Sequence, residues 1–327
     1  MYVDRLEQRV SEYIKTVRSE GDRDNMIDIC LLGTGGMMPL PDRWLSSAML
    51  RYSGKMILID CGEGTQIPIK LCGWGFKNID CMLFTHYHAD HIAGLPGLLL
   101  TMSNSGRDEP LTLIGPPGIK RVVEGLLVVC PAFPFEIMLG ELSVKNEDSV
   151  SINGLTVRSI PAVHNMPCVS YSIELSRQGK FDAERAEKLG LPVQYWKVLQ
   201  SGEKVSFEGK EYEPDMVLGE PRRGLKVCYC TDSRPARGIV QFVEGADLFI
   251  CEGMYGSPDS FDSAEKKKHM TFVEAAGIAK DGNVDELWLT HYSPMLVNPK
   301  EFLSMATDIF PNTVAGKDLM KKTLTFR

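Results

Sequence analysis

The sequence has no apolar run that approaches the ~20 residues needed to span a bilayer. Its N-terminus, MYVDRLEQRVSEYIK, lacks the apolar stretch of a secretory signal peptide. The nine cysteines include no Cys-x-x-Cys pair, and most lie inside apolar runs, as is typical of reduced core residues. We therefore expect a cytoplasmic location and no membrane partner.

The chain also has no excess of positive charge. Its 36 Lys and Arg residues are outnumbered by 43 Asp and Glu, for a formal net charge of −7. A chain of this charge has no overall attraction to nucleic acid, so a nucleic-acid function would have to depend on a local patch. With 327 residues, of which 43% are hydrophobic, the chain is long enough for one large domain or two.

Histidine is scarce, with six residues, but three of them lie close together. The apolar run CMLF predicts a buried strand, and it is followed directly by THYHADH. His86 and His88 are two apart on an extended segment and can point the same way, and Asp90 and His91 follow where a helix is predicted to begin. Imidazoles and a carboxylate at this spacing favour zinc, manganese or iron over calcium or magnesium, and chance clustering is the alternative.

Other polar residues directly follow apolar runs elsewhere in the chain. Because loops converge at the carboxyl ends of strands, these residues are expected to meet at one edge of a sheet. They are Asp60, His86, His164, Asp232, Glu252 and His291. The remaining histidine, His269, precedes Thr271-Phe272-Val273-Glu274, which has the spacing of a helix capping box. The histidines together therefore indicate one site.

The motif His-x-His-x-Asp-His after a buried strand resembles that of the metallo-β-lactamase superfamily. The resemblance implies an α/β fold, the αββα four-layer sandwich, with two divalent metal ions at one edge, zinc by default and manganese or iron possible. Carried over by position, one ion would bind His86, His88 and His164, the other Asp90, His91 and His291, and Asp232 would bridge them. Two such ions can hold a hydroxide near neutral pH, so hydrolysis is the expected reaction.

Within that superfamily, the motif order is similar to that of the ribonuclease Z family over nearly all of residues 26–295. The motifs are GTGGMMPLPDR, DCGEGTQ, HYHADH, CTDSRP, HMT and THYS. The resemblance implies an endoribonuclease that acts on precursor tRNA as a homodimer. It places His269 beside the scissile phosphate, Asp90 as the residue that orients or deprotonates water, and Glu252 as a partner that holds His269. A run of lysines, residues 266–268, either meets phosphates or forms a solvated face.

The predicted organisation is an amphipathic helix over residues 1–24 and a hydrolase domain over residues 25–327, with an inserted arm at about 177–223. The arm holds nine basic and nine acidic residues and lacks the Gly-Pro-rich tip of the family. The family's Pro-x-Lys-x-Arg-Asn loop is reduced here to Arg43, and its His-x-Ser-x-Arg-Tyr motif loses the arginine. A small phosphodiester, such as a cyclic nucleotide, is therefore an alternative substrate, and a lactonase, a thioesterase or a non-catalytic binding protein are more distant possibilities.

Overall fold

Two seven-stranded β-sheets form the centre of the protein. A computed structural model describes residues 26–327, so the predicted helix over residues 1–24 lies outside the described residues. These residues form sixteen strands and ten α-helices. None of the helices in this part of the chain is both long and apolar enough to cross a bilayer.

The first sheet has the strand order β16-β1-β2-β3-β4-β5-β6. Strand β1 pairs antiparallel with β16 and β2, whereas β3, β4, β5 and β6 run parallel to one another. Its strands are β1 (Met26–Gly33), β2 (Ser47–Tyr52), β3 (Lys55–Ile59), β4 (Ile79–Leu83), β5 (Leu111–Gly115), β6 (Ile137–Glu141) and β16 (Met320–Thr325).

The second sheet has the order β15-β14-β13-β12-β9-β8-β7. Strands β12 to β15 are parallel, and β7, β8 and β9 form an antiparallel meander joined to β12. Its strands are β7 (Asp148–Ile152), β8 (Leu155–Pro161), β9 (Val169–Arg177), β12 (Arg222–Cys230), β13 (Leu248–Glu252), β14 (Leu287–Thr290) and β15 (Thr313–Ala315).

The helices cover the outer faces of the two sheets or lie in connections between strands. In chain order they are α1 (Gln66–Cys72), α2 (Ala89–Ile92), α3 (Leu95–Asn104), α4 (Ile119–Leu127), α5 (Ala183–Lys188), α6 (Trp196–Gln200), α7 (Ile239–Val243), α8 (Phe261–Lys267), α9 (Phe272–Asp281) and α10 (Leu303–Thr307). Short 3-10 turns occur at Val193–Tyr195, Pro214–Met216, Pro258–Ser260 and Pro299–Phe302.

Alternation along the strands separates the apolar layers. In β1, Ile27, Ile29 and Leu31 pack in the layer between the two sheets, while Cys30 and Leu32 pack against the helices that cover the first sheet. Successive side chains of a strand point to opposite faces, so one short strand supplies two cores. Strands of the second sheet contribute to the same central layer and to a third core under α7 and α9. The predicted αββα sandwich is therefore confirmed.

The segment between β9 and β12 folds as a small unit of its own. It holds α5, α6 and a two-stranded hairpin, β10 (Val205–Phe207) with β11 (Lys210–Tyr212). Its separate apolar cluster has at its centre the residues Ala186, Leu191, Leu199, Val205, Tyr212 and Val217. We call this unit the insert; its assignment as an arm of the hydrolase domain stays a prediction.

Candidate metal centre

The loops that follow five strands, β3, β4, β8, β12 and β14, meet at one edge of the sandwich and carry the clustered histidines and acids. Asp60 follows β3, Asp232 follows β12 and His291 follows β14, and all three have positive φ values of 60°, 55° and 56°. This left-handed backbone is costly for residues other than glycine and persists where the surroundings hold it. This conformation turns the backbone sharply at each of the three residues, where the side chain enters the site.

One group of side chains contains His86, His88 and His164. Nε2 of His86 lies 2.9 Å from Nδ1 of His88, which lies 3.2 Å from Nε2 of His164. Oδ1 of Asp232 is 3.8 Å from Nε2 of both His86 and His164. Nitrogen ligands of one tetrahedral zinc ion, at about 2.05 Å from the metal, lie about 3.3 Å apart. These spacings therefore fit ligands of a single ion.

A second group contains Asp90, His91 and His291. Nε2 of His91 and Nε2 of His291 are 3.1 Å apart, and both lie 3.5–3.6 Å from Oδ2 of Asp90. Oδ2 of Asp232 is 3.1 Å from the former nitrogen and 3.2 Å from the latter. The two oxygens of Asp232 thus face different groups, which is the arrangement of a carboxylate that bridges two ions.

The chemistry of this cluster fits two cations. Asp232 and Glu252 are almost completely buried, and burial of carboxylates without positive charge is unfavourable. Among the described residues, no group makes a hydrogen bond to Oδ2 of Asp232 or to Nδ1 of His291. Burial lowers the pKa of His86 well below its usual range and that of His164 to about 4, which keeps both imidazoles neutral, as metal ligands are. The two groups of side chains, which include Asp90, His91, His164 and His291, supply the nitrogen and oxygen donors that a two-metal site requires. Their roles as ligands stay predictions.

Asp60 braces this cluster from beneath. Its carboxylate lies 2.8 Å from Nδ1 of His91 and accepts hydrogen bonds from the backbone N–H and the hydroxyl of Thr85. The same hydroxyl lies 3.1 Å from Nδ1 of His86. Burial opposes a proton on His91, but the carboxylates of Asp232 and Asp60 prevail and raise its pKa well above the usual value. A partner of this kind orients a ligand ring and increases its basicity.

His269 lies beside the cluster, with its ring held by Glu252. Nδ1 of His269 is 2.9 Å from Oε2 of Glu252, and the other oxygen of Glu252 accepts from the backbone N–H of Ser233. Only 8% of His269 is exposed, so it is not a solvated residue at a helix start. Burial raises the pKa of Glu252, as does the Asp232 carboxylate. Burial lowers the pKa of His269, against the opposing effect of Asp232.

Several contacts to the site were not predicted from the sequence. Arg234 bonds the backbone oxygen of His269 and the carboxylate of Glu274, and Met37 donates its backbone N–H to Oδ2 of Asp90 at 2.7 Å. Position 36 leaves no room for a side chain, since a Cβ on Gly36 would lie 2.8 Å from the ring of His291. Arg234 follows the motif residue Asp232 by two positions, which is the one sequence signal that points to it.

The lysine run lies at the rim of the site. Lys266 and Lys267 end α8 with exposed side chains, and Lys268 takes a left-handed conformation after it. The backbone oxygen of Lys268 is 3.4 Å from Nδ1 of His164. The backbone of this run therefore touches the site, and the side chains of Lys266 and Lys267 remain at the surface.

Comparison with other sequences gives close relatives. A protein named Ribonuclease Z from Clostridium kluyveri is 51% identical over 302 residues, covering 92% of this chain and 100% of the relative. A second protein of that name, from Lachnospira eligens, is 54% identical over 293 residues, covering 90% and 96%. The model of a family described as "Anti-Pycsar protein Apyc1" matches residues 27–186.

Solved structures share the fold. The metallo-beta-lactamase fold protein YhfI from Bacillus subtilis aligns with a TM-score of 0.65 and 19% identity, covering 91% of this chain and 99% of that one. The short form of human tRNase Z aligns with a TM-score of 0.64 and 23% identity, covering 90% and 98%. Both proteins therefore resemble this chain over almost its whole described length.

Proposed function

The chain belongs to the ribonuclease Z family of metal-dependent endoribonucleases, and from this premise we propose that it cleaves precursor tRNA at its 3′ side. The products would be a 3′-hydroxyl on the tRNA and a 5′-phosphate on the trailer. The observation that carries this proposal is the position of Asp232, whose two oxygens face two histidine groups with His269 beside them.

We propose that the two groups bind divalent ions, and that these are zinc, because imidazole and carboxylate ligands at tetrahedral spacing suit that metal. When bound, two such ions would polarise the phosphate and lower the pKa of water. Manganese and iron accept the same ligands and are the alternatives to test.

The residues of the chain would perform the proton transfers. Asp90, whose carboxylate accepts the N–H of Met37, would orient the attacking water and take its proton. Nδ1 of His269 is engaged by Glu252, so Nε2 would face the substrate and give a proton to the leaving 3′ oxygen. The bond from phosphorus to that oxygen would break as the bond to the water oxygen forms. The leaving 3′ oxygen would become a hydroxyl with the proton from His269, and the proton taken from water would pass from Asp90 to solvent, which leaves the 5′-phosphate as an anion.

The experiment that tests this function is cleavage of a 3′-extended precursor tRNA by the zinc-loaded protein, with the product ends mapped. We expect a cut just after the discriminator base. His269→Ala should lower the rate by about 10²–10⁴-fold while the bound metal stays constant. An unchanged rate with His269→Ala would overturn the role assigned to that residue, and absence of RNA cleavage by the wild type would overturn the function.

A small phosphodiester is a second candidate substrate, and the charge of the insert favours it. The segment 177–223 holds equal numbers of basic and acidic residues, whereas binding of a phosphate backbone depends on positive side chains. Pairs such as Lys204 with Glu213 and Arg185 with Asp182 neutralise its surface further. Turnover of a cyclic nucleotide or a chromogenic diester, without cleavage of tRNA, would favour this candidate.

We propose that the protein is a cytoplasmic homodimer. In the layer that covers the first sheet, Ile67 and Leu71 of α1 and Val128 and Val129 directly after α4 are exposed, the last three by 61% or more. Neighbouring exposed apolar side chains, such as each of these two pairs, are candidates for an interface. All nine cysteines are free, as suits a reducing compartment. Light scattering should give the mass of a dimer for the wild type and for Val193→Glu in the insert, but that of a monomer for Leu71→Glu.

A further inference from the structure

We propose that Arg234 positions His269 for protonation of the leaving oxygen, an inference that depends on the proposed function. The guanidinium of Arg234 donates from Nη1 to the backbone oxygen of His269 at 2.6 Å. It also donates from Nη1 to Oε2 of Glu274 at 2.9 Å and from Nη2 to Oε1 of the same carboxylate. The side chain is 14% exposed, so these bonds are formed largely away from solvent.

The backbone of Arg234 is fixed as firmly as its side chain. Its N–H donates to the oxygen of Val163 at 3.0 Å, and the N–H of Val163 donates to the hydroxyl of Ser233 at 2.9 Å. Val163 precedes His164 and Ser233 follows Asp232, so Arg234 is joined to two loops that carry predicted ligands. Through its guanidinium it reaches a third loop, the one that carries His269.

Glu274 completes the connection. Its Oε2 accepts from the N–H and the hydroxyl of Thr271, and the hydroxyl of Thr271 accepts from the N–H of Glu274, which forms the capping box of α9. The start of the helix, and with it Met270 between His269 and Thr271, is thereby tied to Arg234. An arginine suits this place because its planar fork bonds a carboxylate with two N–H groups, which lysine does not match.

His269 is consequently held at both ends. Glu252 binds Nδ1 of its ring, and Arg234 binds its backbone oxygen. Proton transfer depends steeply on position, since a displacement of about 1 Å can cost about a hundredfold in rate. Arg234 therefore acts through His269, and it does not touch the substrate.

The test compares two substrates that differ in the leaving oxygen. A uridine dinucleotide releases a ribose alkoxide, which needs a proton, whereas bis(p-nitrophenyl) phosphate releases a stable phenolate, which does not. For Arg234→Met we expect kcat on the dinucleotide to fall about a hundredfold, and kcat on the nitrophenyl ester to fall by less than about tenfold. Arg234→Lys should show the same pattern, since lysine cannot bond His269 and both oxygens of Glu274 together.

Arg223→Met is the matched control. Arg223 also bonds a backbone oxygen and two carboxylates, those of Asp247 and Asp285. It lies near the start of β12, and Asp232 lies just past the end of that strand, nine residues or about 30 Å away. This variant should leave both rates unchanged.

Three results would overturn the proposal. Equal losses on both substrates would indicate a purely structural role, an unchanged dinucleotide rate would indicate no role, and normal behaviour of Glu274→Gln would show that the fork is dispensable. If Arg234→Met does not fold, Arg234→Lys and Glu274→Gln carry the test. Because the dinucleotide needs no tRNA recognition, a wild type that cleaves it but not precursor tRNA would reject the proposed substrate and leave this test intact.

Discussion

A single substitution at Asp60 should alter the affinity for metal without changing any predicted ligand. Its carboxylate receives His91 and Thr85, and it has a positive φ that asparagine tolerates. Asp60→Asn should keep the loop folded but remove the negative charge that orients and strengthens His91. We expect about a 10–100-fold loss of zinc affinity, measured by competition with a chelator.

Asp28→Asn is the control for that change, because Asp28 of β1 pairs with Arg51 and accepts a hydrogen bond from Thr323 of β16, and it does not contact a predicted ligand. Zinc affinity should be unchanged in this variant. Equal affinities in Asp60→Asn and the wild type would show that the contact to His91 does not tune the site.

At the same scale, the sequence was sufficient to predict that residues of one motif lie close together. It was insufficient to predict which distant residues form hydrogen bonds to them. His86, His88, Asp90 and His91 lie within six positions, so their proximity could be predicted from one loop. The bond between Arg234 and Glu274 spans 40 positions, and that between Thr85 and Asp60 spans 25. Such contacts depend on how strands and helices pack, and no local pattern in the sequence specifies them.

At the scale of elements, the insert should be removable. Strands β9 and β12 pair at Arg177 and Arg222, and the backbones of Gly179 and Gly219 are in close contact, so the ends of the insert lie side by side. Replacing residues 181–218 by a short Gly-Ser linker should leave the sandwich folded. Turnover of a small diester should stay within about threefold of the wild type, because β12 separates the insert from Asp232 by about 30 Å.

A substitution inside the insert gives the matched comparison. Leu199→Asp should unfold the insert core alone, whereas Leu83→Asp in the central layer should unfold the whole protein. Both changes bury an unpaired carboxylate, which is strongly destabilising. A single cooperative melting transition that shifts equally in both variants would contradict the independence of the insert.

The bounds of a helix or strand cannot be predicted from local periodicity where tertiary contacts decide them. The sequence predicts that a helix begins at Asp90 and His91, but the structure has two helices there, α2 and α3, with a break at Gly94. There the N–H of Gly94 donates to the oxygen of Cys61, and a Cβ on Gly94 would lie 1.9 Å from the oxygen of Gly62. Strand β16 was missed because its sequence, MKKTLT, is largely polar, and its pairing with β1 joins the two ends of the described chain.

For the whole molecule, the expected fold followed from the resemblance of the His-x-His-x-Asp-His motif to that of the metallo-β-lactamase superfamily. The central layer, however, is formed by contacts between the sheets, and these could not be predicted residue by residue. Tyr171 of β9, for example, donates its buried hydroxyl to the oxygen of Phe84, 87 positions away, beside the loop of His86. The metal centre and the core between the sheets are therefore built from the same strands, which couples metal binding to global stability.

This coupling predicts a large effect of metal removal. The metal-free protein keeps Asp60, Asp232 and Glu252 buried with no cation to offset their charge. Two ions, each present at about a hundred times its Kd, would together stabilise the fold by about 5 kcal/mol. In a protein of 327 residues that corresponds to a Tm lowered by roughly 7 °C after chelation. Scanning calorimetry with metal analysis should record this loss and its reversal by zinc but not by magnesium.

Asp232→Asn, which keeps a residue that tolerates the positive φ, should already melt at a lower Tm and respond little to the chelator. A Tm that stays the same while the bound metal falls to zero would show that the centre adds nothing to the stability of the sandwich.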